Sequence, residues 1–86
     1  MQGYIAIVER RSADHFEVVF PDLDGCRCRG RSVNDALYRG QRAVRRHLRQ
    51  MRHRGMRPPP PRPSCEMFDE AQRRRAVAAM CVNAQP

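Results

Sequence analysis

A proline-containing turn at residues 20–25 places the strongest constraint on how this chain can fold. The stretch is Phe20-Pro21-Asp22-Leu23-Asp24-Gly25. Because proline lacks an N–H and fixes its own φ, a central strand cannot run through Pro21. The aspartates can bond their own backbone and Gly25 can adopt a positive φ, both of which are typical of turns. The stretch therefore predicts a hairpin loop between two strands, and an ordinary polar hairpin without a function is the simplest interpretation.

Short apolar runs on the N-terminal side of this turn predict two strands. Residues 4–9 and 16–20 are rich in Ile, Val, Tyr and Phe, as buried strands are. The first run suits either a strand buried on both faces or an inner strand with one strongly apolar face. Residues 10–15 are polar and few, so we expect them to form the hairpin connection.

A third strand is predicted at residues 26–31, where cysteine and arginine alternate. Side chains two positions apart share a face of a strand, so Cys26 and Cys28 should face inward while the arginines between them face solvent. The remaining cysteines, Cys65 and Cys81, stand alone and lack the short paired spacing of structural zinc sites. We therefore expect buried free thiols, with no metal and no cofactor.

One long amphipathic helix should follow, from Ser32 to about His53. Ser32 is a good N-cap, Asp35 lies where a capping box has its acid, and Gly55 is suited to the C′ position. Apolar residues recur at intervals of three and four, which is the pattern of one buried stripe. The opposite face carries a series of arginines: Arg39, Arg42, Arg45, Arg46, Arg49 and Arg52.

The C-terminal third is predicted to be an extended segment, a short helix and an ambiguous final element. Pro58–Pro61 must be extended and should lead the chain back to the sheet. Ser64 is the expected cap of a short helix near residues 65–71. Residues 76–82 favour helix by their alanines, and a single helix over 65–82 is one alternative to a final strand.

Length and charge limit the class of protein. The chain has 86 residues, which is enough for one domain spanning 1–86, and its small core makes a homo-oligomer (dimer or higher) plausible. The 17 basic residues are all arginine and the net charge is +8, which favours anionic partners. The sequence contains no apolar run of about 18 residues and no signal peptide pattern, so we expect a cytoplasmic location without membrane insertion.

Three segments together resemble the HicB-like antitoxin family. They are Tyr4–Glu9, the run from Phe16 through the turn to Cys26, and Gly30–Leu37 with its Gly-x-Ser-x-x-x-Ala-Leu pattern. Within the turn, Phe20, Pro21, Asp22, Leu23 and Gly25 carry the family motif. Gly55–Pro60 and Pro63-Ser64 match the glycine and proline-rich step of the same family, so the resemblance covers roughly residues 1–82.

The resemblance implies a fold and settles our choice for the last element. It implies an α+β, βββαβ two-layer sandwich, in which an antiparallel sheet is covered by one long helix, similar to part of ribonuclease H. It also implies that residues 76–82 form a final strand, which would widen a three-stranded sheet.

The function implied is that of an antitoxin in a type II toxin–antitoxin system. Family members bind HicA, a small mRNA-cleaving toxin that is typically basic, and mask its active surface without catalysis. Since like charges repel, we expect this toxin to meet the main concentration of acidic residues, on the sheet and turn end rather than the arginine helix. The candidate contacts are Glu9, Asp14, Glu17, Asp22 and Asp24.

Several alternatives remain open beside the antitoxin hypothesis. The principal one is a stand-alone nucleic-acid-binding domain that uses Arg42, Arg45, Arg46 and Arg49 on phosphates, although aromatic residues are not interleaved with them. A metal-dependent nuclease would need more converging carboxylates, and no local motif pairs a histidine with a nucleophile. Many family members continue into a DNA-binding module; because the sequence stops at Pro86, we expect no operator binding of that kind. An orphan module without a partner is the weakest alternative.

Overall fold

The computed structural model describes residues 3–83, excluding the side chain of Asn83. It contains four strands and two helices: β1 (Gly3–Ser12), β2 (His15–Val19), β3 (Arg27–Gly30), α1 (Val33–His53), α2 (Ser64–Arg73) and β4 (Ala78–Asn83). The strands form one antiparallel sheet in the order β3-β2-β1-β4. The predicted α+β class and the strand at the C-terminal end are confirmed, and the second helix precedes that strand.

The first hairpin is longer and tighter than the sequence predicted. Arg10 pairs with Phe16 and Ser12 with His15, so β1 continues to Ser12 and only two residues, Ala13 and Asp14, connect the strands. The expectation of a connection spanning residues 10–15 was therefore wrong. Pairing with β2 extends β1 into a polar segment whose residues do not predict a strand by themselves. The register of this pairing shifts between Arg10 and Ser12.

The N-terminus of α1 is fixed by two side-chain hydrogen bonds. Ser32 is the N-cap, and its Oγ accepts a hydrogen bond of 3.0 Å from the backbone N–H of Asp35. The carboxylate of Asp35 accepts from the backbone N–H of Arg31 at 2.9 Å, one residue earlier than in a standard capping box. The predicted start of the helix is confirmed, and Asp35 also lies at the positive end of the helix dipole.

The C-terminus of α1 ends in a Schellman motif. Gly55 has a φ of +71°, and its N–H donates to Arg52 O at 3.0 Å. The N–H of Met56 donates to Met51 O at 2.8 Å, so both bonds of the motif are present. The helix therefore ends at His53, as the glycine predicted.

The side chains of β1 alternate between two core clusters on opposite faces of the sheet. Those of Tyr4, Ala6 and Val8 pack on the α1 side, together with buried residues of that helix. Those of Ile5 and Ile7 face the other way, in a cluster that includes Met67 and Ala71 of α2. Of the two interpretations left open by the sequence, β1 is thus an inner strand buried on both faces, and α2 adds a partial layer beyond the predicted sandwich.

The joint between β3 and α1 leaves no room for a side chain at Gly30. A Cβ built on Gly30 would lie 2.4 Å from Ala36 N and 2.6 Å from Ala36 Cα, well inside contact distance. Because these are backbone atoms of the first turn of α1, they cannot move aside independently. The absence of a side chain at Gly30 therefore lets the helix turn back directly onto the sheet.

The shorter helix departs from the sequence prediction at its start. Its N-cap is Pro63, with no side-chain cap, and Ser64 is already the first helical residue. The expectation that Ser64 would cap this helix was wrong, and the helix runs to Arg73 rather than ending near residue 71. Within residues 3–83 no helix is long and apolar enough to cross a membrane.

Candidate functional site

The turn at residues 20–25 is folded into the core rather than exposed as a polar loop. Its backbone closes through Leu23 N to Phe20 O at 2.9 Å, Cys26 N to Leu23 O at 3.1 Å and Phe20 N to Cys26 O at 3.2 Å. All three of these side chains are buried, and Gly25 takes a φ of +80°. The family motif in the turn therefore has a structural role that its polar residues did not suggest.

Asp22 fastens the proline-rich segment to this turn. Its carboxylate is only 6% exposed and accepts two hydrogen bonds from Arg62, one from the backbone N–H at 2.9 Å and one from Nε. The hydroxyl of Tyr4 donates to Pro59 O nearby in the chain. The side-chain hydrogen bond to Asp22 raises the pKa of the Arg62 guanidinium, and the hydrogen bond to Glu70 raises it to a smaller extent. Because 40 positions separate Asp22 from Arg62, no local sequence pattern predicts this contact.

Ion pairs continue from Asp22 across the α2 face of the sheet. They alternate in sign along one chain of side chains: Glu17, Arg11, Glu9, Arg74, Glu70, Arg62 and Asp22. Arg11 lies 3.0 Å from Glu17 and 3.5 Å from Glu9, whereas the Arg74–Glu9 distance is 3.7 Å. Arg62 and Arg74 approach Glu70 to 3.1 and 3.0 Å. The four carboxylates are 6–20% exposed, so they are largely occupied inside the molecule.

The five acidic candidates do not form one cluster. Glu9 and Glu17 are cross-strand partners and belong to the ion-pair chain. Asp14 lies in the tight turn between β1 and β2, and Asp22 and Asp24 lie in the loop at the opposite end of β2. Of the five, only Asp14 and Asp24 are exposed. The structure therefore separates residues that the sequence analysis treated as one patch.

An acidic surface on α2 was missed by the sequence analysis. This acidic face consists of Glu66, Asp69 and Glu70, of which the first two are exposed, and the neighbouring Phe68 is 45% exposed. The ten residues of α2 carry a net charge of −2, although the whole chain is at +8. Three acids within five residues and no arginine among them was the signal that could have been used.

The arginine face of α1 opens into a groove beside the edge strand β3. The arginine groove has a volume of about 810 Å³ and is bordered on the strand side by Arg27 and Arg29. Its helix side contains Tyr38, Arg39, Arg42 and Arg46. Of the four predicted phosphate contacts, the structure thus brings Arg42 and Arg46 into one site. Arg49 is exposed elsewhere on α1, and Arg45 is half-buried with its Nε unpartnered within residues 3–83.

Tyr38 is the aromatic residue that the sequence analysis overlooked. It is 60% exposed and lies on α1 immediately before Arg39. Helical periodicity was the signal that could have found it, because Tyr38 lies off the apolar stripe and on the same face of α1 as Arg42 and Arg45.

The cysteines divide into two kinds. As predicted, Cys26 and Cys28 face the interior while Arg27 and Arg29 are exposed. Burial raises the pKa of Cys26 to about 11 and also raises that of Cys28. All four cysteines are free thiols, and in the described part of the chain no three His, Cys, Asp or Glu side chains converge as metal ligands.

Comparison with solved structures identifies the fold. One chain of the HicA3 and HicB3 toxin-antitoxin complex superposes with a TM-score of 0.77 at 22% sequence identity. The match covers 99% of this chain and 100% of that one. A comparison with curated protein sequences found no match. The fold defines a small α+β domain in which helices lie on both faces of one antiparallel sheet.

The family follows from the sequence of the same segment. Residues 4–84 match the family model described as HicB_like antitoxin of bacterial toxin-antitoxin system. This chain belongs to the HicB-like antitoxin family, and the resemblance found in the turn and in the start of α1 is confirmed.

Proposed function

We propose that this chain is an antitoxin that binds a HicA-like ribonuclease toxin and masks its active surface. Membership of the HicB-like family supports the antitoxin role, and the fold is that of a chain from a HicA3 and HicB3 complex. Masking requires only that a standard interface, about 800 Å² on each partner, cover the reactive surface of the toxin. No reaction by this chain is part of the proposal.

We choose the contact surface by the difference in net charge between the two helices. α1 has six arginines and one acid, a net charge of +5, whereas α2 has a net charge of −2. A basic toxin would be repelled by the former and attracted to the latter. Since Glu9, Glu17 and Asp22 are occupied by arginines, the accessible acids on this side are Glu66 and Asp69.

Phe68 adds an exposed aromatic side chain next to the acidic face. Its ring is 45% exposed and it precedes Asp69 in the chain, and aromatic side chains are frequent anchors of protein interfaces. We place the toxin on the acidic face. Asp24 in the turn at residues 20–25 and Asp14 in the turn between β1 and β2 are separate candidate contacts at the two ends of the sheet.

Co-expression with the neighbouring gene product tests the antitoxin role. The probe is the protein encoded by the reading frame next to this chain's gene, expressed in a bacterial host. We expect a small basic protein with a catalytic histidine that arrests growth, and we expect this chain to restore growth and to co-purify with it. A neighbour without toxicity, or a toxic neighbour that this chain neither binds nor neutralises, would overturn the proposal.

Calorimetric titration of that pair then tests the surface. Glu66→Lys with Asp69→Lys, and separately Phe68→Ala, should each weaken binding by about tenfold or more. The double variant Asp14→Lys with Asp24→Lys makes the same charge change at the two ends of the sheet and measures what these ends contribute to binding. Arg49→Glu with Arg52→Glu on α1 is the control and should not weaken binding. Full affinity in the α2 variants would remove the contact from the acidic face while leaving the antitoxin role intact.

A further inference from the structure

We infer that the arginine groove between β3 and α1 binds the phosphodiester backbone of a single-stranded nucleic acid, with Tyr38 stacking on a base. This second binding site lies at the edge of the sheet that β3 forms. It does not depend on the proposed antitoxin role, because the groove and the acidic face share no residue.

The groove holds more positive charge than the protein itself neutralises. Five arginines border it against two carboxylates, which gives a net charge of +3. Both carboxylates are already engaged, because Glu17 bonds Arg11 and Asp35 bonds Arg39. Within residues 3–83 the remaining four arginines have no ion-pair partner: Arg27, Arg29, Arg42 and Arg46. Such a concentration of like charge is relieved when anions bind between the side chains.

The spacing of the arginines suits a chain of phosphates better than one small anion. Arg39, Arg42 and Arg46 follow one another along the helix over about 10 Å, at a rise of about 1.5 Å per residue. Arg27 and Arg29 lie across the groove from them on the edge strand. An open groove of about 810 Å³ with cations on both sides can follow a backbone that enters at one end and leaves at the other.

Tyr38 favours a nucleic acid over an acidic peptide as the occupant of the groove. The ring of Tyr38 is 60% exposed among the arginines, and an exposed aromatic ring beside phosphate contacts is the usual platform for an unpaired base. A peptide of acidic residues offers carboxylates to the arginines but no planar base to this ring, so the exposed ring favours a nucleic acid as the occupant.

Fluorescence anisotropy with labelled ten-nucleotide oligomers of uridylate and thymidylate tests the inference on the full chain. If about four phosphates are neutralised, the affinity should fall about 50-fold between 50 and 200 mM salt. Tyr38→Ala should weaken binding about tenfold without changing the salt dependence, and Tyr38→Phe should retain the affinity. Equal affinity for the two oligomers or a preference for RNA each supports the inference, the latter adding a contact to the 2′-hydroxyl.

A matched pair of variants separates the groove from general attraction to a basic protein. Arg42→Glu with Arg46→Glu changes two groove residues, whereas Arg49→Glu with Arg52→Glu makes the same charge change on exposed residues of the same helix outside it. The first pair should abolish binding and the second should weaken it only a fewfold, with both proteins retaining their melting temperatures. Equal losses in the two pairs, or tighter binding of a ten-residue glutamate peptide than of RNA, would overturn the inference.

Discussion

The two helices lie on opposite faces of one sheet and are held there by different interactions. α1 buries four residues, has a side-chain N-cap and meets β3 without any intervening side chain at Gly30. α2 buries only Met67 and Ala71, lacks a side-chain cap, and is tied to the sheet by a chain of ion pairs. Apolar packing attaches α1 to the sheet, whereas α2 uses part of its own charge for its attachment.

The largest expected difference concerns the joint of α1. Gly30→Ala should lower the free energy of unfolding by about 3 kcal/mol or more, because the added Cβ would overlap backbone atoms of Ala36. Gly25→Ala is the control: no atom lies within 4 Å of its Cβ, and only the positive φ costs about 1 kcal/mol. Urea unfolding of the two variants measures both values. Equal losses would show that α1 is not held by this close contact.

Thiol reactivity should distinguish the two faces by about two orders of magnitude. Cys26 lies in the core on the α1 side with a pKa of about 11, so its thiolate fraction near pH 8 is about 100-fold below that of an ordinary cysteine. Cys65 is exposed on α2, and Cys81, which pairs with Ile5, is exposed on the same side of the sheet. Mass spectrometry during alkylation should show two fast and two slow sites. Four equal rates would contradict the burial of the α1 face.

The helix starts should respond in opposite directions to changes of the cap. Ser32→Ala removes the oxygen that accepts from Asp35 N and should cost about 1 kcal/mol. Pro63→Ser introduces a capping oxygen where α2 has none and should add roughly 0.5 kcal/mol. Thermal unfolding followed by circular dichroism checks both. Destabilisation by Pro63→Ser would mean that the fixed φ of proline matters more at this position than a cap.

The smallest effect should come from one ion pair on the α2 face. The hydrogen bond from Arg11 lowers the pKa of Glu17, so this carboxylate stabilises the fold above the ordinary glutamate value, about 4.3, and the contribution is lost as pH falls through the lowered pKa. Arg11→Met should remove that part of the acid sensitivity, and it should change the free energy of unfolding at neutral pH less than any variant above, because solvent screens an exposed pair.

Urea unfolding of this variant at pH 6 and pH 3 provides the measurement. The control is Arg10→Met, which removes a charge from the adjacent residue whose Nε donates only to Ser12 O. An unchanged pH dependence in the Arg11 variant would show that the pair does not contribute to stability.

Features that depend on neighbouring residues were predictable from the sequence. The bounds of α1 follow from Ser32 and Gly55, each of which acts within a few residues. The alternation of Cys26 to Arg29 correctly gave the inner and outer faces of β3. The extension of β1 to Ser12 could not be predicted in this way, since pairing with His15 supplies the bonds that the polar residues do not favour by themselves.

The contacts that assemble the surfaces were not predictable, because they join distant segments. Asp22 had a plausible role in its own turn, and nothing near it in sequence indicates Arg62 as a partner. The acidic candidates were grouped by their proximity in sequence, whereas β2 carries Asp14 and Asp24 to opposite ends of the sheet. Similarly, the arginine groove needs β3 beside α1, which only the tertiary fold provides.

The proline-rich step between the helices has a consequence for how the sheet ends. The chain must pass from one side of the sheet to the other, and Pro58–Pro61 supply four consecutive residues without an N–H group. A segment of this composition cannot pair as a strand with an exposed strand edge, either in its own molecule or in a neighbouring copy. The prolines that connect the two sides of the sheet therefore also prevent this segment from adding to a sheet as an extra strand.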